Sequence, residues 1–97
     1  MFKTNEYFNG NVKSMSFNTA DGPATIGLMA VGEFEFGTSS KEIMTITSGN
    51  LQVKLPGSPE WKEYKKNESF IIEANKKFSV IAKEEVSYLC LYKQNQK

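Results

Sequence analysis

The sequence predicts an all-β fold, a single small antiparallel β-barrel of jelly-roll type. Three observations predict it. Apolar and polar residues alternate with period two in short runs along the whole chain. The breaks between runs are rich in Gly, Pro, Asn, Ser and Lys, the chemistry of tight turns. No run reaches helical length with a period of about 3.6 residues.

Residues 1–10 form an entry segment in which Thr4 caps a single helical turn over Asn5-Glu6-Tyr7-Phe8 and Gly10 ends it. Strands are expected at Val12–Phe17, Ala24–Val31, Glu33–Phe36, Glu42–Thr47 and Leu51–Leu55. Four more are expected at Trp61–Tyr64, Phe70–Glu73, Phe78–Ala82 and Val86–Tyr92. The clearest evidence lies in the middle: Glu33-Phe34-Glu35-Phe36 alternates strictly, Met44 and Ile46 share a face with Glu42, and Leu51, Val53 and Leu55 alternate with Gln52 and Lys54. Gly49-Asn50, after Ser48, supplies the turn between the last two runs. Many short strands at regular spacing argue for a closed or sandwiched barrel. The polar tail, 93–97, is expected to fray.

A chain of 97 residues is expected to make one domain, 1–97, burying about two thirds of its unfolded surface. Its hydrophobic fraction of 39% is that of an ordinary globular protein. No apolar run approaches the ~20 residues of a membrane helix, and MFKTNEYF lacks the apolar core of a signal peptide, so no membrane partner and a cytoplasmic location are expected. A net charge of +1, with Lys and Glu intermixed, leaves no footprint for nucleic acid; the densest basic cluster, Lys62 to Lys66, is interrupted by Glu63 and Tyr64.

Cys90 is the sole cysteine and the chain has no histidine, so a disulfide within the chain, a structural zinc site and a Cys-His nucleophile all lack their parts. Cys90 is read as a packed or lumen-lining thiol. All 12 basic residues are lysines, so an anion site must use ammonium, hydroxyl or backbone N–H groups. Runs such as Ile26 to Val31 and Ser87 to Tyr92 are apolar on both faces. One face lines the barrel, and the other is expected to meet a second copy of the chain in a homodimer.

Four ordered blocks are more specific: NEYFNGNVKS at Asn5–Ser14, GEFEF at Gly32–Phe36, EIMTITSGNLQVKLP at Glu42–Pro56 and SYLCLY at Ser87–Tyr92. Within the third, Glu42, six intervening residues and Gly49 match the second half of the first cupin motif. Together the blocks resemble the small cupin-fold pyrimidine/purine nucleoside phosphorylases from Asn5 to Tyr92. The chain departs from metal-binding cupins: Glu35-Phe36-Gly37 or Phe36-Gly37-Thr38 stands at the place of the His-x-His pair, Glu73-Ala74-Asn75 replaces Pro-x-Gly, and Phe78 falls near the last histidine. A lone carboxylate does not hold iron or zinc tightly. The resemblance implies a small cupin-type barrel that takes a purine or pyrimidine nucleoside plus inorganic phosphate to free base and α-D-ribose 1-phosphate, a pentosyl transfer with no metal and no cofactor.

That reaction needs a phosphate held on one face of the sugar, fixed ribose hydroxyls, and a base that is stacked and given a proton or hydrogen bond. Lys13 with Ser14 is the candidate phosphate site, against the alternative of an exposed strand lysine. Glu42 and Glu33 are candidates for the ribose and the developing positive charge; Glu42 shares parity with Met44 and Ile46, whereas Glu33 has the parity of an outer face. Thr38, Ser39 and Ser40 offer hydroxyls, or form an ordinary polar loop. Tyr7, Phe8, Trp61, Tyr64, Tyr88 and Tyr92 are available as a stacking wall or as core. Trp61 and Tyr92 are the candidates for base binding and Tyr88 for donating to the base. The alternative is a non-catalytic cupin that binds a sugar or nucleotide.

Overall fold

The computed structural model describes residues 2–93. Period-two alternation sets ten strands: β1 (Lys3–Tyr7), β2 (Val12–Thr19), β3 (Gly22–Met29), β4 (Gly32–Gly37), β5 (Lys41–Ser48), β6 (Leu51–Lys54), β7 (Trp61–Tyr64), β8 (Ser69–Ile72), β9 (Lys77–Ala82) and β10 (Val86–Lys93). They form a six-stranded sheet in the order β1-β2-β3-β10-β5-β8 and a four-stranded sheet in the order β4-β9-β6-β7. Every pairing is antiparallel.

The two sheets pack face to face. Val12, Met29, Ile46 and Ile72 of the larger sheet and Leu51, Val53 and Val80 of the smaller one are fully buried in a single cluster. A chain of rings crosses between the layers, with Tyr64 and Phe70 centred 4.7 Å apart, Phe70 and Phe78 6.2 Å, and Phe78 and Phe36 5.6 Å. The tilted and edge-on geometries are those favoured by the ring quadrupole. The fold is therefore all-β and cupin-like, but no ladder joins the two sheets among the described residues. Alternation reports which side chains are buried and not whether the sheet edges meet, so it cannot separate a closed barrel from this sandwich.

Residues 3–7 are a strand, not the helical turn expected over Asn5–Phe8. One isolated helical turn fixes several residues for a single hydrogen bond, whereas here five residues pair with Val12–Ser16 of β2. The reversal is made at Phe8, Asn9 and Gly10, with φ of 56°, 58° and 86°. The Gly10 N–H donates to the Tyr7 carbonyl at 3.1 Å, and the Asn11 amide side chain donates to the Phe8 carbonyl at 3.0 Å. A phenylalanine in the left-handed region is costly. Its ring is held against Phe34 and Phe36, at centroid distances of 5.0 and 5.5 Å, which fixes the turn over the open end of the sandwich.

The expected Gly49 turn joins β5 and β6. Gly49 has φ of 82°, and a Cβ there would lie 2.7 Å from the Glu85 carbonyl oxygen, so the position is restricted on both counts. β3 ends at Met29, two residues before Val31; beyond it the Ala30 N–H donates to the Asn11 carbonyl at 2.8 Å. Lys93, expected in the frayed tail 93–97, belongs to β10 and pairs with Lys41; 94–97 lie outside the described residues.

Candidate active site

Antiparallel register turns the inner face of the six-stranded sheet into rungs of neighbouring side chains. One rung runs Asn5, Ser14, Gly27, Tyr88, Ile46, and the next runs Lys3, Ser16, Thr25, Cys90, Met44, Phe70. A third carries Tyr92, Glu42 and Ile72. On the other side of the first lies a rung of Tyr7, Val12, Met29 and Val86, three of whose four residues are buried and apolar. Polar and ionisable groups thus gather toward one end of the sandwich and aliphatic packing toward the other.

That polar end holds a partly open cavity of about 230 Å³. Ser14, Glu42, Tyr88 and Cys90 line one wall with Met29 and Met44, Phe36, Gly37 and Phe78 come from the four-stranded sheet with Glu35, and Tyr7, Phe8 and Tyr92 complete the lining. Gly27 shapes the first wall. A Cβ built on it would fall 2.5 Å from Cζ and 2.6 Å from Oη of Tyr88, so the Tyr88 ring occupies the space that a side chain would fill. Tyr88 is 6% exposed there.

Burial governs the proton chemistry. It pushes the Glu42 carboxyl above its ordinary value of 4.5, partly opposed by the Cys90 S–H, which donates to Glu42 Oε1 at 3.5 Å. It pushes the Tyr88 phenol far up, with Cys90, Tyr7 and Glu42 acting the same way and the Ser14 hydroxyl opposing. Tyr92 is also raised, first by burial and then by Cys90, against its hydrogen bond with Thr25 at 3.0 Å. Burial and the nearby Glu42 charge raise Cys90. Both phenols and the thiol therefore keep their protons at neutral pH, so the cavity offers hydrogen-bond donors and no thiolate nucleophile.

Of the residues singled out in the sequence, Ser14, Glu42, Tyr88 and Tyr92 meet in this cavity. Lys13 does not. Adjacent strand residues point to opposite faces, and the Lys13 ammonium lies outside, 3.6 Å from Glu6 Oε2 in an exposed pair. Glu33 is exposed on the outer face of β4. Thr38 is committed to the loops: its hydroxyl donates to the Glu73 carbonyl at 2.7 Å and accepts from the Lys76 N–H at 3.0 Å. Trp61 is 40% exposed on β7, the outermost strand of the smaller sheet, and lines neither this cavity nor the groove beside it. Tyr64 is core, packed on Phe70.

Sequence reasoning missed Asn5, Gly27 and Glu35. Reading residues 3–7 as a strand would have found Asn5, because Lys3, Asn5 and Tyr7 share one face. Glu35 has outer-face parity and reaches the cavity from the edge of its sheet; its one signal was its place in Glu35-Phe36-Gly37, where a metal-binding cupin carries His-x-His. Glu42 and Cys90 supply two donor atoms, and among the described residues no group of three His, Cys, Asp or Glu side chains comes together. That donor set does not fit a transition-metal ion.

This architecture, a cupin-like sandwich with a cavity at one end, defines the class. A cupin superfamily protein from Desulfitobacterium hafniense shares the fold with a TM-score of 0.72 at 14% identity, over 96% of this chain and 84% of that one. The family is narrower: the model for pyrimidine/purine nucleoside phosphorylase matches residues 2–92, and the chain belongs to that family. A pyrimidine/purine nucleoside phosphorylase of Pseudomonas aeruginosa is 55% identical over 93 residues, covering 96% of this chain and 100% of that protein. A crystal structure of a protein of unknown function from Vibrio parahaemolyticus superposes with a TM-score of 0.89 at 41% identity, over 93% and 96% of the two chains.

Gly27→Ala forces the Tyr88 ring out of its place, an overpacking expected to cost about 1–3 kcal/mol. In a Tyr88→Ala background the same substitution should cost almost nothing, and thermal unfolding of the four proteins measures that coupling. Glu42 gives a second expectation. Its folded-state pKa lies above the unfolded one, so its contribution is most favourable below the unfolded value and is lost as pH rises through the folded one. The gain in Tm from Glu42→Gln should therefore grow as pH rises from about 4 to about 7.

Proposed function

We propose that the chain is a nucleoside phosphorylase of broad specificity, working without a metal at the cavity between β4, β5, β9 and β10. The observation that carries this reading is the meeting of two hydrogen-bonding groups, the Glu42 carboxyl with its raised pKa and the neutral Tyr88 phenol, with the aromatic wall of Phe36 and Phe78 in one cavity. Family membership supports it. The wall contains no Asn, Gln, Lys or Arg to read base edges, and stacking accepts any base because each has a π-face.

Phosphorolysis follows from these parts. An oxygen of monohydrogen phosphate bonds to C1′ of the ribose as the C1′–N bond breaks. The bonding pair leaves on the base nitrogen. Glu42, whose proton burial helps to retain, donates to that nitrogen and is reprotonated from water, while the phosphate gives its own proton to water, so the net transfer is from phosphate to base. Tyr88 donates a hydrogen bond to the departing base, and Glu35 at the mouth offers negative charge to the oxocarbenium-like ribose. One lost donor of this kind typically costs about 3–4 kcal/mol of transition-state stabilisation.

The outer face of the six-stranded sheet supports a homodimer. Met15, Ile26 and Leu89 are cross-strand neighbours there, and Ile26 and Leu28 are 49% and 63% exposed. A second copy would cover them. No helix of the described residues is long and apolar enough to cross a membrane; a cytoplasmic enzyme is the reading consistent with nucleosides and phosphate as substrates.

The enzyme reading is tested by phosphate-dependent release of free base from purine and pyrimidine nucleosides, with and without a chelator. Release that needs phosphate, survives chelation and falls by about 100-fold or more in Glu42→Gln and Tyr88→Phe is the expected result. A folded protein that releases no base contradicts it and leaves a ligand-binding cupin. For the dimer, wild-type protein should sediment as two copies and Ile26→Lys as one, whereas a monomeric wild type contradicts the interface.

A further inference from the structure

The cavity lacks a place for phosphate. Its lining holds the carboxyl groups of Glu35 and Glu42 and no lysine, so a phosphate dianion placed there meets no cation. Beside it lies a groove of about 380 Å³ with the opposite character. The groove contains Lys3, Asn5, Ser16 and Thr25 and no carboxylate, and it shares two walls, Tyr7 and Tyr92, with the cavity.

We propose that inorganic phosphate binds in this groove, on the β1–β2 edge, held by Lys3, Asn5 and Ser16. The inference rests on the phosphorylase reading and supplies the cation that reading needs. Register brings the three together: Lys3 lies opposite Ser16, and Asn5 opposite Ser14. The Asn5 amide donates to Ser14 Oγ at 3.3 Å and to Ser16 Oγ at 3.1 Å. Each serine oxygen thus accepts from Asn5; the Ser14 hydroxyl is turned toward Tyr88, and the Ser16 O–H remains to donate into the groove. An ammonium beside an oriented hydroxyl is an anion site, and it is built without arginine.

Stereochemistry demands the same partition. An ordinary nucleoside carries its base on the β face of C1′ and the product carries phosphate on the α face, so phosphate must attack from the side opposite the departing base. Two compartments meeting at Tyr7 and Tyr92 provide that arrangement: base in the cavity, phosphate in the groove, ribose at their junction. The Tyr92 hydroxyl, tied to Thr25 at 3.0 Å, fixes the wall between them.

The test measures the KM for phosphate and for nucleoside separately. Lys3→Ala and Ser16→Ala should each raise the phosphate KM about tenfold or more while the nucleoside KM stays within about twofold, Lys3→Arg should restore most of the loss, and the exposed Lys83→Ala should change neither. Thermal melts confirm that each variant is folded. Phosphate-dependent release with a phosphate KM unmoved by Lys3→Ala, or moved instead by Lys13→Ala, overturns the subsite and leaves the phosphorylase reading standing. No release from wild type fails that reading itself, and the subsite with it.

Discussion

The site depends on the close approach of Tyr88 to the backbone of Gly27. Any residue larger than glycine at 27 would place a Cβ inside the phenol ring's contact distance. The approach is possible because β2, β3 and β10 pair in a register that sets Ser14, Gly27 and Tyr88 on one rung. A slip of one residue in either pairing would turn the polar rungs outward and put Met15, Ile26 and Leu89 into the interior. The aliphatic core at the other end, with Val12, Ile46, Leu51 and Val80 fully buried, holds that register.

Without histidine, proton chemistry at neutral pH has to come from groups whose ordinary pKa values are poorly placed. Burial corrects this in one direction for all of them. It lifts Glu42 toward the range of a useful acid and keeps Tyr88, Tyr92 and Cys90 neutral. The cavity offers a phosphate dianion no lysine, whereas the neighbouring groove carries Lys3. The sandwich separates two electrostatic environments across a wall of two tyrosines.

Much of the fold was legible because alternation directly encodes one-sided burial: β5, β6, β9 and β10 lie where their apolar residues placed them. β1 was not, because its residues are polar on both faces and mostly exposed, and only the partner strand reveals it. Glu42, singled out by parity, and Tyr88, singled out for its hydroxyl, line the cavity, and Ser14, named with Lys13 for phosphate, lines it without Lys13. Lys13 was misplaced by treating neighbours on a strand as neighbours in space. Thr38 looked like a free hydroxyl and is consumed by two loops that the sequence does not show to be adjacent. The notch at Gly27 has no signature in the sequence, since it is defined by a residue sixty-one positions away.

The most direct measurement is a crystal structure with a nucleoside and sulfate, the latter standing in for phosphate. The account predicts the base against Phe36 and Phe78, its leaving nitrogen within hydrogen-bond reach of Glu42 or Tyr88, and the ribose between Tyr7 and Tyr92. A nucleoside bound on the outer face of either sheet, or against Trp61, would contradict it.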